Sequence, residues 1–226
     1  MDKSILKSFT YMFDANDRAF KISILVMLYL PIAYFSYVMM TIKANGATPQ
    51  LNYGNIVIFF FIVWLTSLFA TGYLAKCTQN IILFNGDQPF DMPNWEDNFI
   101  GYLVIGFKKG VSVFVTTLVL LPTVILLAIP LLIYSFIYPA LDNIFCSEFK
   151  FNSYFSWKKA FSIIASNNKL YYSILGLLFL LSIARNLFYL LKLPAGLFIF
   201  LLAIFMAYLS LISAYWIGII NRGSDN

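Results

Sequence analysis

Long runs without a charged residue dominate the pattern of hydrophobic and polar positions along the chain. Four such runs occupy residues 22–42, 44–75, 110–141 and 193–221. A helix needs about 20 predominantly apolar residues to cross the hydrocarbon core of a bilayer, and each of these runs is that long. The pattern therefore predicts an all-α fold, a polytopic membrane helix bundle.

Charged and turn-forming residues divide the apolar positions into five predicted membrane segments, which are residues 22–42, 56–75, 111–141, 170–191 and 193–220. Two amphipathic stretches outside them, residues 4–13 and a stretch with Trp157, Phe161 and Ile164 on one face, predict short interfacial helices. Residues 76–110 predict a long, turn-rich loop, in which a further interfacial helix starts after Pro93.

The third segment has two interpretations. At about 1.5 Å per residue it is longer than one span needs and shorter than two full spans need. It also contains Pro122, Pro130 and Pro139. A single crossing would place the four lysines of residues 142–169 outside, against the positive-inside rule. We therefore favour a Pro-kinked hairpin with Pro130 near its tip, which gives six membrane helices and cytoplasmic N- and C-termini.

Composition narrows the class of protein. Of the 226 residues, 61% are hydrophobic and 11% are charged, whereas soluble domains average about 45–50% and about 25%. A soluble enzyme, a disordered chain and a disulfide scaffold are excluded, and residues 1–226 are expected to form one integral membrane domain. The net charge of +5 indicates positive-inside orientation and not nucleic-acid binding, because basic residues occur at most in pairs.

Residues that could carry chemistry are sparse. The chain has no histidine, the commonest general base and metal ligand. Cys77 and Cys146 each follow an apolar segment and are expected to be reduced and structural. Because the predicted segments contain no acid, no nucleophile–base pair can be assembled within them. We therefore expect no enzyme activity, no catalytic residue, no metal and no cofactor.

The loop after the second segment holds the most distinctive polar residues. It contains four carboxylates, oxygen ligands that hard cations prefer, but their spacing does not match a calcium loop. The loop either docks a partner or a cation, or it is capped and solvated with its tryptophan at the headgroup level, which is the favoured interpretation. Its candidate residues are Asn80, Gly86, Asp87, Asp91, Pro93, Trp95, Glu96 and Asp97.

Two further features lie inside the apolar segments. Arg185 is the only charge there, and burying it at mid-helix would cost about 2.5–3.5 kcal/mol, so it is a candidate functional residue. It lies near one end of its segment, which favours snorkelling to the interface. In the last segment Ser210, Ala214 and Gly218 are spaced four apart, which predicts a small-residue stripe for close helix packing.

Three blocks of the sequence resemble one family. They are Tyr11–Asp17; Gly72-Tyr73 with Asn80, Gly86-Asp87, Pro93, Trp95, Asp97, Gly106 and Lys108; and Phe155 with Ala160-Phe161, Asn168 and Tyr171-Tyr172. Together they resemble the prokaryotic membrane family catalogued as domain of unknown function 4013, distantly similar to the membrane domain attached to some glycerophosphodiester phosphodiesterases. The resemblance covers nearly the whole chain and implies six helices in the plasma membrane of a prokaryote, although the third and fourth are short here. It implies no reaction.

These observations favour a non-catalytic membrane protein: a scaffold, a partner subunit or a lipid-interacting module. Its expected partners are membrane lipids and other membrane proteins, with no nucleic acid. The alternative is a small transporter or channel, which requires a path lined by polar side chains. A dry, closed bundle would favour the first hypothesis, and polar residues converging on one cavity would favour the second.

Overall fold

Helices account for nearly all of the chain that the structure describes. The structure is a computed structural model, and it describes residues 16–45, 53–83, 92–95, 98–126, 129–188, 190–191 and 193–220. Within these residues the α-helices are α1 (Asn16–Asn45), α2 (Tyr53–Leu83), α3 (Phe99–Leu126), α4 (Ile129–Glu148), α5 (Trp157–Ser166), α6 (Asn168–Phe188) and α7 (Ala195–Ile219). A short 3-10 helix, Phe151–Phe155, lies between α4 and α5. The predicted all-α class is confirmed.

Five of these helices are long and apolar enough to cross a membrane. The candidate spans are Arg18–Ile42, Ile56–Leu83, Phe99–Leu120, Asn168–Phe188 and Ala195–Ile219. Large apolar side chains point outward from them: Met27, Val57 and Phe179 are 66%, 68% and 67% exposed. So much exposed apolar surface suits contact with lipid and not with water. The prediction of a multi-pass membrane protein is confirmed; α4 is not among the five candidate spans.

The helices extend past the apolar runs into residues that the sequence assigns to a loop. α2 continues to Leu83 and α3 begins at Phe99, so the predicted loop over residues 76–110 is wrong at both ends. The polar residues in the last turns of α2 contact other polar groups: Gln79 accepts a hydrogen bond from Lys76 (2.6 Å) and donates one to the Ser147 carbonyl on α4 (3.4 Å). Continuing the helix also keeps its backbone groups paired near the membrane.

The predicted interfacial helix after Pro93 is replaced by the start of α3 itself. Asn98 caps this helix: its side-chain oxygen accepts the Gly101 N–H at 2.9 Å, and its carbonyl accepts the Tyr102 N–H at 3.1 Å. From there α3 runs without interruption to Leu126. A capped N-terminus satisfies backbone donors that would otherwise lack partners, which explains why the helix starts here.

The third apolar segment contributes to two helices. α3 ends at Leu126 and α4 begins at Ile129. Lys109 on α3 and Asp142 on α4 lie on opposite sides of this break, and their side chains are 2.6 Å apart. The two helices are therefore antiparallel, the geometry that a hairpin requires. Pro130 lies in the first turn of α4, where its missing N–H costs least.

One end of the bundle gathers the start of α1, the end of α2, the start of α3, and the ends of α4 and α7. Lys21 Nζ donates to the Met92 carbonyl at 2.6 Å, which brings α1 to the residues before α3. Asn143 Nδ2 donates to the Ile217 carbonyl at 2.6 Å, which joins α4 to α7. The hydrogen bond between Gln79 of α2 and Ser147 of α4 lies at the same end. Most basic residues of the described chain are at this end of the bundle.

The predicted amphipathic helix around Trp157 is present as α5, which packs along α4. Ala160, Ile163 and Ile164 are buried, whereas Phe161 is 47% exposed. Phe161 is therefore the exposed member of the predicted apolar face. The predicted helix over residues 4–13 lies outside the described residues.

Two glycines bring the backbones of α2 and α3 into contact. A Cβ atom on Gly72 would overlap the Tyr102 carbonyl oxygen of α3, and a Cβ on Gly106 would overlap the Leu68 carbonyl oxygen of α2. Neither position has room for any side chain, and neither obstacle is a flexible one. This close packing of small residues is how membrane helices gain contact area when the surrounding lipid is as apolar as they are.

We expect Gly72→Ala and Gly106→Ala each to lower the stability of the bundle by about 1–3 kcal/mol, because the added methyl forces the two backbones apart. The measurement is the unfolding temperature in mild detergent, followed by far-ultraviolet circular dichroism. Gly110→Ala is the matched control on α3, since its Cβ would meet only Leu68 Cδ2 at 3.7 Å. Equal unfolding temperatures for all three variants would contradict the backbone contact.

Candidate functional site, an amphipathic cavity between five helices

A cavity of about 300 Å³ opens between five helices of the bundle. α6 and α7 form most of its wall, and single residues or pairs from α2, α3 and α4 complete it. The apolar part of the lining includes Leu74, Leu178, Leu181 and Met206. The polar part consists of an ion pair, several hydroxyls and one arginine, so the cavity is amphipathic.

The ion pair joins the two antiparallel helices at the base of the cavity. The Lys109 ammonium lies 2.6 Å from Asp142 Oδ1 and donates to Oδ2 at 2.9 Å, and the side chains are only 14% and 5% exposed. The Tyr154 hydroxyl, on the 3-10 helix, donates to Asp142 Oδ1 at 2.6 Å. A buried pair is tolerated only when hydrogen bonds satisfy both ions, and both carboxylate oxygens are engaged here.

Tyr154 has no access to solvent. Its burial, reinforced by the charge of the adjacent Asp142, raises its pKa well above the usual value for a tyrosine. The phenol therefore keeps its proton and acts as a hydrogen-bond donor to the carboxylate. The result is a three-residue network, Lys109–Asp142–Tyr154, that links α3, α4 and the 3-10 helix.

Hydroxyl groups surround the rest of the cavity. Ser210 on α7 accepts a hydrogen bond from the Tyr29 hydroxyl on α1 at 2.7 Å. Ser213 donates to a carbonyl one turn earlier on its own helix at 2.8 Å. Thr78 on α2 donates to the Ala214 carbonyl on α7 at 3.3 Å. These bonds hold α1, α2 and α7 together and leave a ring of hydroxyl oxygens around the cavity.

Arg185 lines the cavity from α6, three residues after Ser182, which lines it too. Residues three apart share one face of a helix, so both side chains belong to the same wall. Arg185 is exposed, unlike Lys109. Among the described residues no carboxylate forms an ion pair with it. The structure places this charge at the cavity, and its snorkelling to the interface stays a prediction.

α6 is held to the bundle at its two ends. Near its start, the Tyr171 hydroxyl donates to the Phe136 carbonyl of α4. At its end, Phe188 stacks on Phe205 of α7 with ring centroids 5.1 Å apart. Between these contacts a Cβ at Gly176 would meet nothing within 4 Å. The cavity occupies the space between the middle of α6 and α7, beside helix surface that faces lipid.

The small-residue stripe of α7 lies against two other helices. Ser210 contacts α1 through Tyr29, as above, and Ala214 accepts its hydrogen bond from α2. A Cβ on Gly218 would lie 2.6 Å from Ile81 Cγ2 of α2. The stripe therefore lies at helix contacts, and Ser210 and Ala214 line the cavity as well.

Of the predicted loop residues, the structure describes three. Asn80 belongs to α2, and the Pro93 carbonyl accepts a hydrogen bond from the Tyr73 hydroxyl at 3.1 Å. Trp95 stacks on Tyr73 at 3.8 Å between ring centroids and is 7% exposed. Trp95 is thus enclosed by α2 and α3, and its position at the headgroup level stays a prediction. Lying outside the described residues are Gly86, Asp87, Asp91, Glu96 and Asp97.

The residues at the base of the cavity were missed by sequence reasoning. Asp142 was assigned to a polar segment after the membrane, and Lys109 to a loop. Asp142 nevertheless lies on a helix, because α4 continues to Glu148; it lies outside the five candidate spans, which contain no Asp or Glu. The available signal was the apolar residues after Asp142: Ile144, Phe145 and Cys146 continue the helical pattern.

No family model, no curated protein and no solved structure matches the chain. The chemistry of the site is therefore inferred from its own residues. Across the described ranges, no group of three or more acidic or cysteine side chains is placed to hold a metal ion. What the arrangement offers is hydroxyl donors, one arginine and apolar walls, a combination suited to binding an amphiphilic molecule.

We expect Asp142→Asn to destabilise the protein by about 3–5 kcal/mol, because it leaves the buried Lys109 ammonium without its counter-ion. The measurement is again the unfolding temperature in detergent. Glu148→Gln is the control, since Glu148 pairs with Lys159 (2.6 Å) and Lys150 (3.5 Å) at the surface. Such exposed pairs contribute about 0–1 kcal/mol.

A double variant separates the ion pair from other effects of the substitution. Lys109→Met combined with Asp142→Asn removes the stranded charge, so it should lose less stability than Asp142→Asn alone. If Asp142→Asn and Glu148→Gln have the same unfolding temperature, the buried pair contributes no more than the surface pair.

Proposed function

We propose that the protein is a non-catalytic, multi-pass membrane protein that binds a membrane lipid in the cavity between α6 and α7. The observation that carries this proposal is the amphipathic lining: charged and hydroxyl side chains share one cavity with leucines and a methionine. Ligand cavities typically begin at about 300 Å³ and combine apolar walls with a few polar groups, as this one does.

The position of α6 supports access from the bilayer. Its outward side chains are exposed over the whole helix, including Tyr172, Phe179 and Leu187, at 54%, 67% and 56%. Ile174, Leu178 and Leu181 pack towards the bundle, so the helix lies between the cavity and the surrounding lipid. A lipid can place its headgroup among the polar side chains and its acyl chains along α6.

The same proposal includes the way in which the chain crosses the membrane. With α3 and α4 as a hairpin, the protein has six membrane helices, a cytoplasmic N-terminus, and its basic end on the cytoplasmic side, as the positive-inside rule requires. The antiparallel α3–α4 contact and the clustering of basic residues at one end support it. The resemblance to domain of unknown function 4013, and location in the plasma membrane of a prokaryote, remain part of this proposal.

Filling the cavity should remove the bound lipid. Ser182→Trp places an indole where the headgroup is proposed to lie, and we expect lipid retained through purification in mild detergent to fall several-fold. Native mass spectrometry of the purified protein measures this. The matched control is Ile183→Trp, at the next residue of α6, which is exposed like Ser182 (39% exposed) but does not line the cavity. Equal retention by both variants, or no retained lipid in the unaltered protein, would refute lipid binding in the cavity.

A small transporter or channel is the second candidate function. The convergence of polar side chains from five helices on one cavity favours it and departs from the dry, closed bundle expected of a simple scaffold. Solute flux into proteoliposomes that Ser182→Trp abolishes, and Ile183→Trp does not, would favour transport over lipid binding alone.

The hairpin predicts which side of the membrane each connection faces. A membrane-impermeant maleimide should label Lys158→Cys only after permeabilisation, and Leu190→Cys, beyond the other end of α6, in intact cells. Both positions are exposed. The native cysteines, Cys77 and Cys146, are 1% and 0% exposed, so the unaltered protein is the unlabelled control. Labelling of Lys158→Cys in intact cells would indicate a single crossing by residues 111–141.

A further inference from the structure

We propose that the cavity binds a group with a single negative charge, a phosphate diester, and that Arg185 is the residue that recognises it. This inference rests on the proposed function, because it names the chemical class of the ligand in the same cavity. It also assigns a role to Arg185, which forms no ion pair within the part of the chain that the structure describes.

The charge balance of the cavity points to an anion. Its lining holds two cations, Lys109 and Arg185, and one anion, Asp142. Lys109 and Asp142 neutralise each other at 2.6 Å, and Tyr154 donates to the same carboxylate. With both oxygens engaged, Asp142 is not available to attract a cation. The net charge left at the cavity is therefore that of Arg185, and one phosphate diester balances it.

The neighbouring groups match the oxygens of a phosphate. A guanidinium presents paired N–H donors in a planar fork, which suits two oxygens of one phosphate. Ser182 lies one turn before Arg185 on the same face, and its hydroxyl can donate to a further oxygen. Across the cavity, Ser210 accepts from Tyr29, which leaves the Ser210 hydroxyl proton able to donate. Arginine with hydroxyls is a common set of phosphate ligands in proteins.

The apolar walls strengthen the interaction. Leucine side chains from α2 and α6 line the same space, and a charge–charge contact beside such surfaces is less weakened than in open water. A zwitterionic headgroup would add an ammonium beside Arg185 and Lys109, which opposes its binding. The cavity should therefore prefer a headgroup with net negative charge.

The test is binding of three probes to the full-length protein in detergent, measured by native mass spectrometry and by the shift in unfolding temperature. The probes are dioleoyl phosphatidylglycerol, dioleoyl phosphatidylcholine and inorganic phosphate. We expect the unaltered protein to prefer phosphatidylglycerol over phosphatidylcholine. Arg185→Gln should weaken phosphatidylglycerol binding by about tenfold, with partial recovery in Arg185→Lys, because lysine keeps the charge without the planar fork.

Lys169→Gln is the matched control, since it removes a positive charge from the exposed first turn of the same helix and should leave binding unchanged. Inorganic phosphate distinguishes the two sources of the ligand: stabilisation that Arg185→Gln abolishes would support the anion site with a soluble phosphate as its occupant. If both lipids bind in a manner sensitive to Ser182→Trp but not to Arg185→Gln, the anion site is refuted while lipid binding stands. If none of the three probes binds, both proposals fail.

Discussion

The backbones of α2 and α3 touch where Gly72 meets Gly106, and the rest of the bundle is arranged around that contact. Lys109 follows Gly106 by three residues, so the crossing sets where this ammonium enters the interior. Tyr73, directly after Gly72, stacks on Trp95 and donates to Pro93, which fixes the residues before α3 against α2. In lipid, apolar surface alone does not favour helix association, and close backbone packing is what holds such helices together.

The crossing brings Lys109 close to Asp142, and this ion pair explains why a cavity persists inside an otherwise apolar bundle. Burying two charges is costly even when they are paired. A packed apolar core at this position would be at least as stable by itself, so stability alone does not account for the buried ions of α3 and α4. This is the physical reason for assigning function to the cavity and not to the aromatic cluster around Trp95, where stacking and hydrogen bonds are already satisfied.

A lipid-binding role and a transport role make different demands on the same cavity. A lipid site needs one amphipathic opening towards the bilayer. A transport path needs access to both sides in turn, and therefore a helix that can move. α6 forms one wall of the cavity and has an exposed outer face, so it is the element whose movement would matter most in either role.

The membrane class, the positions of the apolar spans and the helix-contact stripe of α7 follow from residue type and spacing alone. They do so because burying a charged side chain in hydrocarbon costs free energy at every position, whatever residues lie beside it. The sequence also identifies Arg185 as the only charge inside the predicted apolar segments. The residues that surround Arg185 in space do not follow from the sequence. Nor does residue spacing show that Trp95 is buried between Tyr73 and Tyr102.

The sequence prediction also placed Asp142 and Lys109 outside the helices, although both residues lie within them. A charged residue after an apolar run has the same local pattern whether it faces water or a partner on another helix. Residue spacing along the chain thus determined that this is a bundle of membrane helices. Only the tertiary structure decided that Lys109, Asp142 and Arg185 share one cavity. Their proximity depends on how closely glycines let separate helices approach one another. That distance is a property of a pair of helices and cannot be read from either segment alone.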